Sequence, residues 1–109
     1  MDALEALADP TRRRVVELLE RGELTAGQIA DQFISSRPAV SRHLRLLREA
    51  GVVSVREEGT RRLYQLQRQP LADLEGWLSQ RLDALDTEVR RATRISEKPT
   101  PNTDKGTSS

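Results

Sequence analysis

The chain has 109 residues, of which 36% are hydrophobic and 3% aromatic, so it is the size of one small domain with an aliphatic core. It has no cysteine and one histidine, which excludes disulfides, thiolate metal sites, a cysteine nucleophile and a multi-histidine metal centre. No apolar run approaches the roughly 18 residues of a membrane span, and no signal peptide pattern opens the chain. We therefore expect a soluble, cytoplasmic domain without a membrane partner.

The net charge of +1 conceals an uneven distribution of charged residues along the chain. Residues 37–62 contain seven arginines against three acidic residues, whereas residues 1–34 contain four arginines against seven acidic residues. The planar guanidinium group of arginine matches phosphates and guanine edges in a bidentate manner. The basic middle third is therefore the segment best suited to contact nucleic acid.

Two helices are predicted before the first glycine. Residues 2–8 favour a short helix with Leu4 and Leu7 on one side. Asp9-Pro10 then marks the start of a second helix, because aspartate is a good cap and proline fits the first helical turn. Gly22 marks the end of this second helix.

A short helix is predicted next, over about residues 25–33. Thr25 and Gln28 have the spacing of a capping box, in which each side chain bonds the backbone N–H of the other residue. Ile29 and Phe33 would lie on the buried face of this helix.

An arginine-rich helix is predicted over residues 37–50, with Ser36 as its cap and Gly51 just beyond its end. Its apolar stripe consists of three residues at helical spacing, Val40, Leu44 and Leu47. At about 100° per residue, Arg42 and Arg45 fall on the opposite face, so we expect their side chains to project outward.

A β-hairpin follows this helix. Residues 52–58 and 61–66 form two alternating runs joined by Gly59-Thr60, which is the pattern of two short strands and a tight turn. Arg61 and Arg62 adjoin the turn and make the tip of the hairpin basic.

The last predicted helix begins at Pro70 and extends to about Thr93, with an apolar residue at every third or fourth position. At about 1.5 Å per residue, this helix is longer than so small a core can cover, and we expect its apolar seam to pair two copies of the chain. Residues 94–109 are expected to be a disordered tail beyond a single domain of residues 1–93. The residues predicted for dimerisation are Leu4, Leu7, Leu71, Leu74, Leu78, Leu82, Leu85 and Val89.

These elements follow one another in the order of a winged helix-turn-helix. The segment SSRPAVSRHLRLLREAGVV at residues 35–53, with ALADPTRRRVVELL at 6–19 and EEGTRRLYQL at 57–66, resembles the ArsR/SmtB family of bacterial dimeric repressors. The resemblance covers about residues 2–92. It implies a mainly α fold with a β-hairpin wing, a homodimer formed through the first and last helices, and transcriptional repression at a palindromic operator in double-stranded DNA.

In a helix-turn-helix, the second helix enters the major groove with its N-terminal half on base edges. We therefore expect Arg42 and Ser41, with Arg37, to supply base readout and register. The other cations would mainly neutralise phosphates, those of the hairpin in the adjacent minor groove. The residues predicted to bind DNA are Ser36, Arg37, Ser41, Arg42, His43, Arg45, Arg56, Arg61 and Arg62.

Several of these residues also have simpler structural interpretations. Ser36 serves equally well as a helix cap alone, and His43 as a structural or phosphate-bonding histidine. Arg61 and Arg62 would also protect the hairpin edge from pairing with other strands. The arginines at positions 12–14 fall on three sides of their helix, so we expect them to form salt bridges with nearby acidic residues.

The sequence departs from the metal-sensing members of the family, which carry the motif E-L-C-V-C. Thr25 and Gly27 occupy the positions of the two thiolates, and the last helix contains carboxylates but no histidine. Soft and borderline metals prefer thiolate or imidazole ligands, so we expect no metal and no cofactor. A carboxylate-only metal site remains the alternative.

The function predicted from the sequence is therefore sequence-specific DNA binding by a homodimeric repressor. The alternative is a winged-helix module that binds proteins and has no DNA activity, because a fold does not fix a function. An enzyme is not expected, since the sequence offers no carboxylate pair in a pocket, no nucleophile–base set and no glycine-rich phosphate loop. The operator, the regulated genes and any effector ligand are left open.

Overall fold

The computed structural model describes residues 1–97, which form five helices and three strands. One compact unit comprises Met1–Leu74 and a second begins at Glu75. The elements in chain order are α1 (Ala3–Ala6), α2 (Pro10–Leu19), β1 (Leu24–Thr25), α3 (Ala26–Ala30), α4 (Arg37–Glu49), β2 (Val53–Glu58), β3 (Arg61–Leu66) and α5 (Arg68–Glu97).

Polar side chains cap the helices of the first unit at the predicted positions. Asp9 Oδ2 accepts a hydrogen bond from the Arg12 N–H at 3.0 Å. The predicted capping box is confirmed: the Gln28 N–H donates to Thr25 Oγ1 at 3.1 Å, and the Thr25 N–H donates to Gln28 Oε1 at 2.8 Å. These bonds satisfy amide groups that have no partner within the helix, which fixes where each helix begins.

Residues 31–36 join helices α3 and α4. Helix α3 ends at Ala30, earlier than predicted, and Phe33 is half-buried against the core from outside the helix. Helix α4 runs over nearly the predicted range, and Gly51 follows it with φ +77, a conformation that glycine adopts without strain.

The predicted hairpin is confirmed, and it belongs to a three-stranded antiparallel sheet in the order β1-β3-β2. β2 and β3 pair from Val53↔Leu66 to Glu58↔Arg61. Strand β1 was not predicted, because two residues are too short for an alternating pattern. It pairs with β3 through Leu24↔Tyr64, so the segment before α3 is attached to the hairpin.

One aliphatic core holds the first unit together. The predicted stripe of α4 is fully buried: Val40 is 2% exposed, Leu44 1% and Leu47 0%. The other buried members of the core cluster are Ala6, Val15, Val16, Leu19, Ile29, Ala30, Val52, Val53 and Tyr64. The position of this stripe fixes the rotation of α4 and therefore which of its side chains face outward.

The salt bridges expected for the first three arginines are correct for one residue only. Arg14 pairs with Glu17 at 3.3 Å. Arg12 is instead buried and donates to the Ala6 carbonyl at 2.7 Å, and Arg13 donates to the Leu7 carbonyl at 2.8 Å. The prediction was wrong for these two because carbonyls at the C-terminal end of a helix lack intrahelical partners and compete with carboxylates for nearby donors.

Helix α5 begins at Arg68 rather than Pro70 and continues to Glu97 rather than ending near Thr93. Residues 98–109, most of the predicted tail, lie outside the described residues. The boundary of a single domain at residue 93 stays a prediction. Among residues 1–97, no helix has the length and apolar character that crossing a membrane requires.

Candidate nucleic-acid interface

The outward face of α4 carries a group of polar and cationic side chains. Arg42 and Arg45 are exposed and lie opposite the buried stripe, as predicted, and Ser41 is exposed on the flank of the helix. Ser36 caps the helix: its Oγ accepts from the Ala39 N–H at 3.3 Å, and the residue remains exposed. The N-terminal half of α4 therefore presents hydrogen-bonding groups and positive charge to solvent, on a helix fixed from behind by the core.

Arg37, in the first turn of α4, lies beside an acidic residue. Its Nη2 is 3.9 Å from Asp31 Oδ1, and both side chains are largely exposed. A Cβ built on Gly27 would lie 3.7 Å from Arg37 Nη1, so the guanidinium group lies over α3. Arg37 is available to a ligand, but the carboxylate of Asp31 competes for its charge. Asp31 was not among the residues predicted for the site.

His43 occupies a different environment from the exposed arginines of α4. Its side chain is 19% exposed, with Nδ1 3.9 Å from Asp9 Oδ2 and 3.4 Å from Arg12 Nη1. The backbone N–H of Arg12 bonds the Asp9 carboxylate, and this bond, together with the nearby Arg12 guanidinium group, lowers the pKa of Asp9 below its ordinary value. His43 thus joins α4 to the start of α2.

The hairpin tip brings two of the predicted cations next to acidic residues. Arg61 and Arg62 are exposed, and the strand register places them opposite Glu58 and Glu57. Opposite charges across a strand pair stabilise one another modestly. The tip therefore carries charges of both signs, rather than the purely basic surface that its arginines alone suggest.

Arg56, predicted to neutralise phosphate, has a carboxylate partner in the structure. Its Nε and Nη2 donate to Glu23 Oε2 and Oε1 at 2.7 and 2.8 Å, and its Nη1 lies 3.5 Å from Glu58 Oε2. The hydrogen bonds from Arg56 lower the pKa of Glu23, and in return the pKa of Arg56 is raised. This pair, which was not predicted from the sequence, attaches the hairpin to the segment before β1.

The residues predicted for dimerisation differ in exposure. In the first unit, Leu4 is exposed, Leu71 and Leu74 are half-buried, and Leu7 packs against the chain's own core. In the second unit the seam lies open to solvent. Its exposed residues are Leu78, Leu82, Leu85 and Val89.

Trp77 lies beside the seam residue Leu78 in sequence and is also exposed. Arg81 stacks over its indole ring, with the guanidinium carbon 4.9 Å from the ring centroid. A cation over an aromatic face is a favourable arrangement that orders both side chains.

Thr25 and Gly27, at the positions of the metal-binding cysteines, have structural roles in and around α3. The Thr25 hydroxyl caps α3, and Gly27 lies against Arg37. In the part of the chain that the structure describes, no three residues among histidine, cysteine, aspartate and glutamate are grouped closely enough to hold a metal ion.

Comparison with known proteins relates the chain to bacterial regulators. A sequence profile described as "Bacterial regulatory protein, arsR family" matches residues 9–55, which include α2, α3, α4 and the start of β2. The transcriptional repressor SdpR of Bacillus subtilis is 35% identical over 88 residues, which cover 81% of this chain and 98% of SdpR.

Solved structures show the same relationship. A possible transcriptional regulator for arsenical resistance has 44% sequence identity and a TM-score of 0.68, with 81% of this chain and 96% of that one covered. The homodimeric winged helix-turn-helix DNA-binding domain Mb0332 of Mycobacterium bovis has 30% identity and a TM-score of 0.58, with 72% and 73% covered. These similarities confirm the winged helix-turn-helix fold predicted from the sequence.

Proposed function

The chain belongs to the ArsR family of bacterial transcriptional regulators, and on that premise we propose that two copies of it bind a palindromic operator and repress transcription. Membership of this family makes the chain a DNA-binding regulator of transcription rather than an enzyme. Bacterial operators lie in the cytoplasm, so we propose that the chain acts there.

The observation that carries the proposal is the orientation of α4. Its apolar stripe is buried in the core, while Arg42 and Arg45 project from the opposite face and Ser41 is exposed on the flank. A helix held in this way offers its N-terminal half to the major groove without any rearrangement of the fold. The basic middle third of the sequence supplies the charge that draws this surface to phosphates.

Within this surface we assign a role to each group of side chains. Arg42 and Ser41 read base edges, since a guanidinium group pairs with guanine in a bidentate manner and a hydroxyl bonds several bases. Arg37 and Ser36 fix the register at the start of α4, and Arg45, Arg61 and Arg62 neutralise phosphates.

Arg56 and His43 have a supporting role in the proposed interface. Because Arg56 is held by Glu23 and Glu58, it sets the position of the hairpin and adds less charge to the DNA than a free arginine would. His43 is less exposed than the predicted arginines. Arg12 contacts its Nδ1, so His43 would contact DNA through Nε2.

Two features support a homodimer. The exposed leucines of α5 form an apolar seam that is stabilised when a second copy covers it. The related domain from Mycobacterium bovis is described as homodimeric. Two copies present two reading helices related by a two-fold axis, which matches an inverted repeat in DNA.

We propose no metal effector. The two positions that hold cysteines in metal-sensing relatives are Thr25 and Gly27 here, and neither supplies a thiolate.

Selection of sequences from a random DNA duplex pool by the full chain tests the proposal. The expected product is an inverted repeat with half-sites about one helical turn apart, bound by two copies per duplex. A single half-site bound by one copy would overturn the dimeric mode. No enrichment of any sequence, with the chain folded, would favour the protein-binding module instead.

A further inference from the structure

A buried arginine connects the end of α1 to α4. Arg12 is 9% exposed, and three of its nitrogens have partners. Nε donates to the Ala6 carbonyl at 2.7 Å and Nη2 to the Glu5 carbonyl at 3.4 Å. Nη1 lies 3.4 Å from Nδ1 of His43, which belongs to α4. One guanidinium group therefore contacts both helices.

The charge of Arg12 makes its burial costly. A guanidinium group removed from water loses hydration free energy, and an apolar side chain of similar volume would fill the same space without that loss. Two of the three contacts of Arg12 are to backbone carbonyls, and the third is to a ring nitrogen. An arginine at this position therefore contributes specific hydrogen bonds to α1 and α4, which an apolar side chain could not form.

The contact between Arg12 and His43 bears on which ring nitrogen of the histidine carries a proton. A guanidinium group has donors only, so a hydrogen bond between the two side chains uses the lone pair of His43 Nδ1 as its acceptor. The Asp9 carboxylate lies 3.9 Å from the same nitrogen, beyond hydrogen-bond distance. An imidazole ring that accepts at Nδ1 is neutral and carries its proton on Nε2. The ring then has one donor left, the Nε2–H group, which is suited to a phosphate oxygen.

We propose that Arg12 is a positioning residue for DNA binding that acts through His43. It holds the His43 ring in the Nε2–H form and ties it to the carbonyls of Glu5 and Ala6 at the end of α1. The proposal rests on the function proposed above, because it assigns to His43 a donor bond to the DNA backbone. Through Arg12, the position of α4 also depends on that of α1.

The geometry distinguishes Arg12 from its neighbour Arg13. Both residues lie on α2 and both donate to backbone carbonyls of the preceding segment, Arg13 to those of Leu7 and Ala8. Arg13 is exposed, however, and these bonds join it to the segment before α2 and not to α4. Arg13→Met is therefore the matched control for Arg12→Met.

A double-mutant cycle on operator affinity tests the proposal. We expect Arg12→Met to weaken binding to the selected operator by roughly tenfold and Arg13→Met to weaken it much less. In a His43→Ala background, Arg12→Met should cost no further affinity, although it still lowers the melting temperature. Equal losses of affinity in both backgrounds would show that Arg12 only stabilises the fold, and would overturn the proposal.

A second measurement needs no variant. In a ¹⁵N-labelled wild-type chain at a pH where histidine is neutral, the Nδ1 resonance should be that of an unprotonated nitrogen that accepts a hydrogen bond. A proton on Nδ1 would overturn the proposal even if Arg12→Met fails to fold. This measurement does not involve DNA, so it tests the Arg12–His43 hydrogen bond separately from the proposed function. Failure of the proposed function would appear instead as a wild-type chain that selects no operator.

Discussion

The carboxylate of Glu23 and the guanidinium group of Arg56 form a bidentate ion pair with two hydrogen bonds of 2.7 and 2.8 Å. Glu23 precedes β1, whereas Arg56 lies within β2, 33 positions later in the chain. Bidentate pairs of this kind have the most favourable geometry among surface ion pairs. The pair therefore fixes the hairpin against the segment that leads into α3 and α4.

The first prediction concerns the pH dependence of stability. The bond from Arg56 lowers the pKa of Glu23 in the folded chain below its ordinary value of 4.5. The pair therefore stabilises the fold above the unfolded-state pKa, and this contribution is lost as the pH falls through the folded-state pKa. We expect Glu23→Gln to lower the melting temperature most at neutral pH, with the difference from wild type disappearing in acid.

Melting curves recorded from neutral pH down to about pH 3 provide the measurement. The matched control is the same substitution in an Arg56→Gln background, where the pH-dependent difference should be absent because its cause has been removed. A difference between wild type and Glu23→Gln that stays constant across the range would contradict the prediction.

The second prediction concerns base readout by Arg42. We expect Arg42→Ala to reduce discrimination between the operator and a random duplex by about 1–3 kcal/mol, because a bidentate contact to a base is lost. Titrations of both duplexes at one salt concentration measure this effect. Arg48→Ala, near the end of the same helix, removes the same charge and should leave the discrimination intact. Equal losses on both duplexes would make Arg42 a phosphate contact instead.

The third prediction concerns Asp31, whose carboxylate lies 3.9 Å from Arg37. Removing its charge should free Arg37 for DNA and reduce repulsion of phosphates. We expect Asp31→Asn to raise affinity roughly two- to fivefold at low salt for operator and random duplex alike. The melting temperature should change little, because exposed pairs contribute little to stability.

Asp73→Asn, which removes the same charge from α5, is the control for Asp31→Asn and should leave affinity nearly unchanged. An Asp31→Asn chain that binds no more tightly than wild type would show that Arg37 is already available, or that it does not contact DNA.

Local patterns in the sequence predicted the parts of the fold that local interactions determine. The capping bonds of Asp9, Thr25 and Ser36 span three residues each, so their spacing is visible in the sequence. The outward direction of Arg42 and Arg45 follows from helical periodicity once the apolar stripe is known. For these reasons the starts of α2, α3 and α4 and the exposed face of α4 could be predicted.

Contacts between distant residues could not be predicted in the same way. Arg12 and His43 are 31 positions apart, and the pairing of β1 with β3 joins Leu24 to Tyr64. Periodicity gives the side of α2 on which Arg12 lies, but not that the carbonyls at the end of α1 lie within its reach. The partners of Arg12 and Arg56 therefore required the three-dimensional arrangement.

The fourth prediction concerns the hairpin tip. If Arg61 contacts a phosphate, Arg61→Ala should reduce the slope of log affinity against log salt concentration by about one. Arg14→Ala, which removes an exposed arginine of α2, is the control and should leave the slope unchanged. An unchanged slope for Arg61→Ala would mean that Arg61 does not reach the DNA.

The last prediction concerns the seam of α5. Leu82 is 60% exposed in the single chain, so a charge there should not disturb the chain's own core. In a dimer that buries the seam, the same charge would be desolvated without a partner, and we expect Leu82→Glu to be monomeric in sedimentation velocity with its helical content unchanged. Affinity for the full operator should fall roughly 10²-fold or more, because the two half-sites are no longer bound together.

Gln80→Glu adds the same charge to another side of the helix and should remain dimeric. A dimeric Leu82→Glu chain would place the interface between copies elsewhere on the molecule.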